Sequence, residues 1–257
     1  MHFSRAIVRV PGSNFAEGLT TAALGAPDYS KALAQHAEYC RALEACGLIL
    51  TRLPADTAFP DSTFVEDTAV LTERGAILTR PGAPTRQGEV AGIRKTLEAV
   101  FPKLDSIQPP GTLEGGDICN ADGHFFIGVS RRTNPEGARQ LSEWLSQRGY
   151  TATLVDIRGI PSILHLKTGF SYLGERRLVM IPPLAEGQPF NGFQIIRTVP
   201  GEEWAANVLR INASVVIAGG YPRMESTLRA AGCAVLPVDM SEFRKMDGSL
   251  TCLSLRY

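Results

Sequence analysis

The chain has 257 residues, with 26 Lys plus Arg against 26 Asp plus Glu, so its formal net charge is zero. That balance removes the electrostatic case for nucleic acid or an anionic membrane as the main partner. With 44% hydrophobic and 20% charged residues it has the composition of a globular protein able to bury a core, and no apolar run approaches the roughly 20 residues of a membrane helix. The opening "MHFSRAIVRVPGS" carries charge inside its apolar stretch and has no signal-peptide core, so a cytoplasmic location is expected.

Taken in chain order, "YSKALAQHAEYCRALEACG" (29–47) places apolar residues at helical spacing and stops at Gly47, and the following "LILTRLP" reads as a strand. "TAVLTERGAILTRP" (68–81) reads as a hairpin with a glycine-bearing turn, followed by helix and strand over 89–107. The same phrase recurs as the hairpin "DICNADGHFFIGVS" (117–130) with helix and strand over 134–155. Hairpins follow at 169–181 and 208–220, the latter with helix and strand over 222–239. The segment 182–206 has little helical periodicity. The spacing of about 40–50 residues suits repeated supersecondary elements. Asp67 and Asp117 open the second and third repeats, and Thr168 and Leu209 fall near the openings of the fourth and fifth. Five strand–strand–helix–strand repeats thus fill the chain, with no linker between them. A closed α/β repeat architecture in a single domain, 1–257, is expected rather than an open βαβ sheet.

The five cysteines are an odd number without a CxxC pair, which argues against a disulfide framework or a Cys-rich zinc site. Cys40, Cys46, Cys119 and Cys233 read as small buried residues. Cys252, in the closing "DGSLTCLSLRY" (247–257), lies among alternating apolar residues. The expectation is a last strand carrying either a buried thiol or a nucleophile.

Three segments put polar groups where a core should be: Glu66 and Asp67 in "STFVEDTAV", Glu114 and Asp117 in "GTLEGGDIC", and His165 in "SILHLKTG". Buried carboxylates and imidazoles need partners. In a closed repeat fold, equivalent positions of different repeats converge. Asp67, Glu114, His165 and Cys252 occupy similar places in theirs. A thiol, an imidazole and two carboxylates in one pocket would suit nucleophilic catalysis on a cationic substrate. No HExxH, Walker, GxGxxG or GxSxG pattern competes, and neither metal nor cofactor is expected.

"FVEDTAV", "TLEGGDI", "IGVSRRTN", "LHLKT" and "DGSLTCLS" together resemble the dimethylarginine dimethylaminohydrolase family of the guanidine-modifying superfamily. The resemblance spans nearly the whole chain. It implies an α/β fold, a five-bladed β/α propeller of ββαβ units around a pseudo-fivefold axis. It also implies hydrolysis of Nω-methylated L-arginine to citrulline, with arginine deiminase or citrulline hydrolase activity, or a non-catalytic propeller, as the alternatives. Carried over by motif, Cys252 corresponds to the nucleophile, His165 to the general acid/base and Glu114 to the acid that orients it. Glu66 and Asp67 correspond to the guanidinium-binding pair and Asp61 to the acceptor of the substrate α-amino group. Arg86 and Arg132 correspond to the carboxylate clamp, Leu19 to a flap residue whose carbonyl meets the amino group, and Met246 to a backbone contact. The partner implied is a small molecule, and a homodimer is left open beside the monomer.

Overall fold

The computed structural model describes residues 2–186 and 190–257. Its strands fall into five three-stranded sheets, each pairing one antiparallel and one parallel neighbour on a central strand. This is the ββαβ repeat expected from the hairpin–helix–strand pattern. Chain contacts divide the repeats between two compact units, one of Met1–Val65 with Thr198–Tyr257 and one of Glu66–Arg197.

The first unit holds the first and fifth repeats. In the first, strand Arg5–Arg9 leads to helix Tyr29–Ala45 and then to the parallel strand Ile49–Leu53. The strand that should precede it comes from the other end of the chain. Leu255–Arg256 pairs antiparallel with it, Ala6 opposite Arg256 and Ile7 opposite Leu255. The fifth repeat follows the sequence pattern directly, with strands Leu209–Ile211 and Ser214–Ala218, helix Pro222–Ala230 and strand Ala234–Val238. Tyr39, Leu43, Phe15, Phe64 and Phe243 pack in the core of this unit. Tyr39 is fully buried, and its hydroxyl donates to Leu250 O over 2.8 Å and meets Ser254 Oγ at 2.6 Å. An aromatic side chain of the first repeat thereby fixes the segment that carries Cys252.

The second unit holds the other three repeats. The second has strands Ala69–Thr72, Gly75–Leu78 and Leu104–Ser106 around helix Glu89–Glu98. The third has strands Ile118–Ala121, His124–Val129 and Thr151–Asp156 around helix Pro135–Ser146. Asn134 caps that helix, its side chain accepting from Gly137 N at 2.8 Å, and Pro135 occupies the first turn, where its missing N–H costs nothing. Phe125, Ile127, Leu141 and Trp144 fill the core between sheet and helix. The "ADG" turn works as its residues require, with Asp122 (φ 52°) and Gly123 (φ 91°) both in the left-handed region of a tight hairpin. In the fourth repeat the hairpin Phe170–Gly174 and Arg177–Met180 is followed, among the described residues, by a four-residue helix, Pro182–Ala185, and then by strand Gln194–Arg197. This matches the weak periodicity of 182–206, of which 187–189 lie outside the described residues.

A short 3-10 turn precedes the first strand of every repeat: Val65–Thr68, Gly115–Asp117, Leu166–Thr168, Glu203–Ala206 and Leu250–Leu253. Cys252 therefore lies in a turn, not on a strand as the alternating residues suggest. Within each compact unit these turns are linked by one recurring hydrogen bond. Asp67 Oδ1 accepts from Gly116 N at 2.8 Å, Asp117 Oδ1 from Leu166 N at 2.9 Å, and Asn207 Oδ1 from Thr251 N at 3.2 Å. Short turns leave backbone N–H groups unpaired, and a carboxylate or amide at the end of the previous turn satisfies them. The buried Asp and Asn residues are thus first of all the repeat's own fasteners. Two cysteines depart from expectation: Cys40 and Cys119 are buried, but Cys46 and Cys233 are only half-buried.

Candidate active site

The "LEGGD" turn needs its glycines because other backbone and ring atoms approach too closely for a side chain. A Cβ on Gly115 would lie 2.0 Å from Glu66 O, and one on Gly116 would lie 2.7 Å from Cγ and Nδ1 of His165. These contacts bring the second, third and fourth repeats together in the second compact unit. Carboxylate oxygens of Asp67 and Glu114 and a ring nitrogen of His165 fall within 4.8 Å of one another, and all three residues are buried. His165 Nε2 meets Glu114 Oε2 at 2.7 Å. Glu114 Oε1 accepts from Ala83 N at 3.2 Å and from Arg132 Nη1 at 3.5 Å. Arg132, not the exposed Arg131, is the arginine of "SRRT" that turns inward.

Burial alone would discharge His165 and Glu114, but each finds a countercharge. Burial lowers the His165 pKa, yet the Asp67 charge, the Glu114 hydrogen bond and the Asp117 charge outweigh it and lift the imidazole to about 9. Burial raises that of Glu114, but the hydrogen bond and charge of His165 bring it down to about 2. Both shifts favour the ion pair, an imidazolium on a carboxylate. Asp117, fully buried beneath them, is pushed up by desolvation.

Glu66 accepts from Lys167 Nζ. Arg86, almost fully buried, donates from Nη1 to Asp67 Oδ2 at 2.7 Å, and from Nε and Nη2 to Glu89 at 3.0 and 2.9 Å. Burial opposes its charge, but the Asp67 and Glu89 carboxylates hold the guanidinium firmly protonated. Neither Glu89 nor Lys167 stands out along the chain, where Glu89 opens a helix and Lys167 is one letter of "LHLKT". The grouping of Asp67, Glu114 and His165 is also a set of ligands a metal ion could use. Its members come from three repeats, so no spacing motif announces it. Arg86, Arg132 and protonated His165 already neutralise the acids, and the arrangement as it stands is suited to proton transfer.

The first compact unit brings together three of the other expected residues. Leu19 N donates to both oxygens of Asp61 at 3.1 Å. A Cβ on Gly18 would sit 2.5 Å from Asp61 Oδ1 and 3.3 Å from Met246 Cε. Thr20 Oγ1 bonds Lys245 O at 2.8 Å, and Thr21 bonds Asp247 through both its N–H and its hydroxyl. The segment bearing Leu19 is thereby strapped to the residues on either side of Met246. Cys252, partly exposed in its turn, lies in this same unit.

The arginine deiminase family model matches residues 57–204. Along the full chain, 43% of 256 aligned residues are identical to the N(G),N(G)-dimethylarginine dimethylaminohydrolase of Pseudomonas aeruginosa, covering 99% of this chain and 100% of that one. The chain belongs to the dimethylarginine dimethylaminohydrolase family. Solved structures agree. The Pseudomonas aeruginosa dimethylarginine dimethylaminohydrolase, a cysteine-to-serine variant complexed with citrulline, superposes with a TM-score of 0.97 at 43% identity over all of both chains. A histidine-to-glycine variant of a dimethylarginine dimethylaminohydrolase, an adduct with S-methyl-L-thiocitrulline, gives 0.95 at 43% identity over 99% of this chain and 100% of that one. Family membership makes the chain a hydrolase of amidine C–N bonds and bears out the five-repeat α/β class read from the sequence. Among the described residues no helix is long and apolar enough to cross a membrane.

Proposed function

We propose that the chain, acting as one domain over 1–257, hydrolyses Nω-methylated L-arginine to L-citrulline and dimethylamine or methylamine. The observation that carries this reading is the buried His165–Glu114 pair beside Asp67, in a chain alike end to end with a dimethylarginine dimethylaminohydrolase. Relatives solved with citrulline and with a thiocitrulline adduct support it.

In the proposed reaction the Cys252 thiolate forms a bond to the guanidinium carbon. The tetrahedral adduct collapses by breaking the C–N bond to the methylated nitrogen, and the imidazolium of His165 gives that amine its proton. A thiouronium remains on Cys252. His165, now neutral, takes a proton from water as the water attacks the same carbon. The second collapse breaks the C–S bond, the hydroxyl proton passing to solvent and the released amine, and frees citrulline, the thiolate and His165 again as the imidazolium. Glu114 stabilises the imidazolium and orients its ring. Glu66 and Asp67 receive the substrate guanidinium, whose planar fork of donors suits paired carboxylates. Arg86 and Arg132 take the α-carboxylate. Asp61 and the Leu19 carbonyl take the α-amino group and Met246 adds a backbone contact, a reading supported by their grouping around Gly18. The chemistry calls for no cofactor.

A second reading, deimination of arginine itself, is favoured by the arginine deiminase family match over 57–204. The two differ in what the pocket does with a nitrogen lacking N–H groups. Unmethylated arginine places two extra donors there, and each buried unmet donor costs roughly 1–3 kcal/mol. Side-by-side kcat/KM for arginine and for mono-, asymmetric and symmetric dimethylarginine, followed as citrulline, tests this. Mono- and asymmetric dimethylarginine should lead. Arginine equal to or better than asymmetric dimethylarginine overturns the proposal in favour of the second reading.

A further inference from the structure

Arg86 is held more tightly than charge neutralisation requires. Asp67 alone supplies a countercharge, 2.7 Å from Nη1. Glu89 adds a second, and it does so along the guanidinium edge: Oε1 accepts from Nε at 3.0 Å, and Oε2 from Nη2 at 2.9 Å and Nε at 3.3 Å. A carboxylate engaging two donors on one edge fixes the plane of the fork, which a single contact at Nη1 leaves free to turn. All three residues are buried, Glu89 at 3% exposure and Arg86 at 5%. Burial strips them of water that would otherwise let the side chains shift.

Glu89 is itself rigidly placed. It is the first residue of helix Glu89–Glu98, one helical turn from the 3-10 turn Pro84–Arg86. At a helix N-terminus, unpaired N–H groups and the helix dipole favour a carboxylate, so its charge is stabilised where it stands. The consequence is an ordered chain of ionic contacts, Glu89 to Arg86 to Asp67 to Gly116 N–H. It runs from a helix end to the turn that packs on the His165 ring.

We infer that Glu89 is a positioning residue. It sets the plane of Arg86 so that this arginine can receive the substrate α-carboxylate, and it shares Arg86 with Asp67 so that Asp67 keeps its place for the guanidinium. The inference rests on the proposed role of Arg86. It assigns to Glu89 the discrimination between an amino acid and an amine bearing the same guanidine.

The test compares asymmetric dimethylarginine with its α-decarboxylated analogue on wild type, Arg86→Lys, Glu89→Gln, Glu89→Asp and the double variant Arg86→Lys/Glu89→Gln. The readout is the ratio of kcat/KM for the two substrates, together with kcat, KM and Tm. Glu89→Gln should lower that ratio about tenfold or more, the scale of one charge-assisted contact, mainly by raising KM for the amino acid. The double variant should fall no further than the worse single one, because both act on one contact. Glu89→Asp keeps the charge but withdraws it by one methylene. It should hold Tm near that of wild type while still losing discrimination, which covers the case of Glu89→Gln failing to fold. If Arg86→Lys leaves the ratio unchanged, the clamp role of Arg86 fails and the inference with it. If Arg86→Lys lowers the ratio while Glu89→Gln or Glu89→Asp leaves it unchanged and shifts only Tm, Glu89 is structural and the inference alone is overturned.

Discussion

At the scale of single residues, the protein does its work with charges kept out of water. His165 is the clearest case. Its pKa, ordinarily 6.5, is lifted to about 9 in the fold. A raised folded value means that binding this proton favours the folded state. The contribution is complete below about pH 6.5 and is lost as pH rises through about 9. Glu114 has the opposite sign. Its value falls from 4.5 to about 2, so its contribution is complete above about pH 4.5 and is lost as pH falls through about 2. Wild type should therefore lose Tm between pH 6.5 and 9. A His165→Gly variant should show a flatter profile there, and equal slopes in thermal melts across that window would contradict the ionised pair. The same variant should lose about 10²–10⁴-fold in kcat, the usual worth of a general acid/base. Cys252→Ser should retain binding and fold but fall to a few per cent or less of the wild-type kcat, since a hydroxyl is a poor nucleophile at neutral pH. Substantial turnover by that variant, measured as citrulline, would remove Cys252 from its role.

At the scale of elements, the informative unit is the short turn before each first strand. In three of the five, Gly115–Asp117, Leu166–Thr168 and Leu250–Leu253, a backbone N–H is met by an Asp or Asn in or just after the previous turn. Asn207 serves the turn of Cys252 twice over, accepting from Thr251 N at 3.2 Å and donating to Thr251 Oγ1 at 3.0 Å. Asn207→Ala would leave the buried Thr251 N–H without this acceptor, at a cost of about 1–3 kcal/mol, and should lower kcat by loosening the nucleophile. Asn207→Asp keeps the acceptor and should lose less. If the two variants are equally impaired in steady-state assays, the accepted hydrogen bond is not what matters. On the His165 side, Gly116→Ala forces a Cβ to within 2.7 Å of the ring and 3.0 Å of Asp67 Oδ1. Overpacking of this kind costs about 1–3 kcal/mol, and here it pushes directly on the imidazole. A Gly116→Ala enzyme with normal kcat would show that the ring has room the distances do not give it.

At the scale of the whole molecule, repeats are short and bury little individually, and one of the five is completed by a strand from the far end of the chain. The first repeat takes its outer strand from the chain's last residues. Ser4 N and Arg5 N donate to Tyr257 O at 3.0 and 2.9 Å, Tyr257 N returns a bond to Arg5 O at 2.9 Å, and Leu255 is buried against the core. Removing 255–257 should destabilise the fold by about 3 kcal/mol or more, combining one buried leucine with the lost ladder. It should also impair turnover, because the turn of Cys252 loses its downstream anchor. Urea unfolding of the truncated chain is the measurement. An unchanged midpoint would mean that this strand contributes nothing to the first repeat.

The amino-acid sequence by itself determined the features whose causes lie within a few residues of one another. Helical spacing over 29–45, the glycine-bearing "ADG" turn and the helix that opens the 134–155 stretch each follow from local sterics and hydrogen bonding, and so each was legible along the chain. Motifs such as "TLEGGD" and "DGSLTC" carried the family resemblance and with it the residues proposed for the site. Tertiary structure alone decided the rest. The alternation over 247–257 announces a last strand, but the strand is confined to Leu255–Arg256, where Arg5–Arg9 offers an edge. Cys252 alternates with apolar neighbours like a strand residue, yet Tyr39 and Asn207, both distant in sequence, hold it in a turn. Glu89 looks like an ordinary helix start until Arg86 is folded against it. Coulombic and hydrogen-bond partners are chosen by proximity in space, and a pattern written along the chain records that proximity only where the fold keeps near neighbours near.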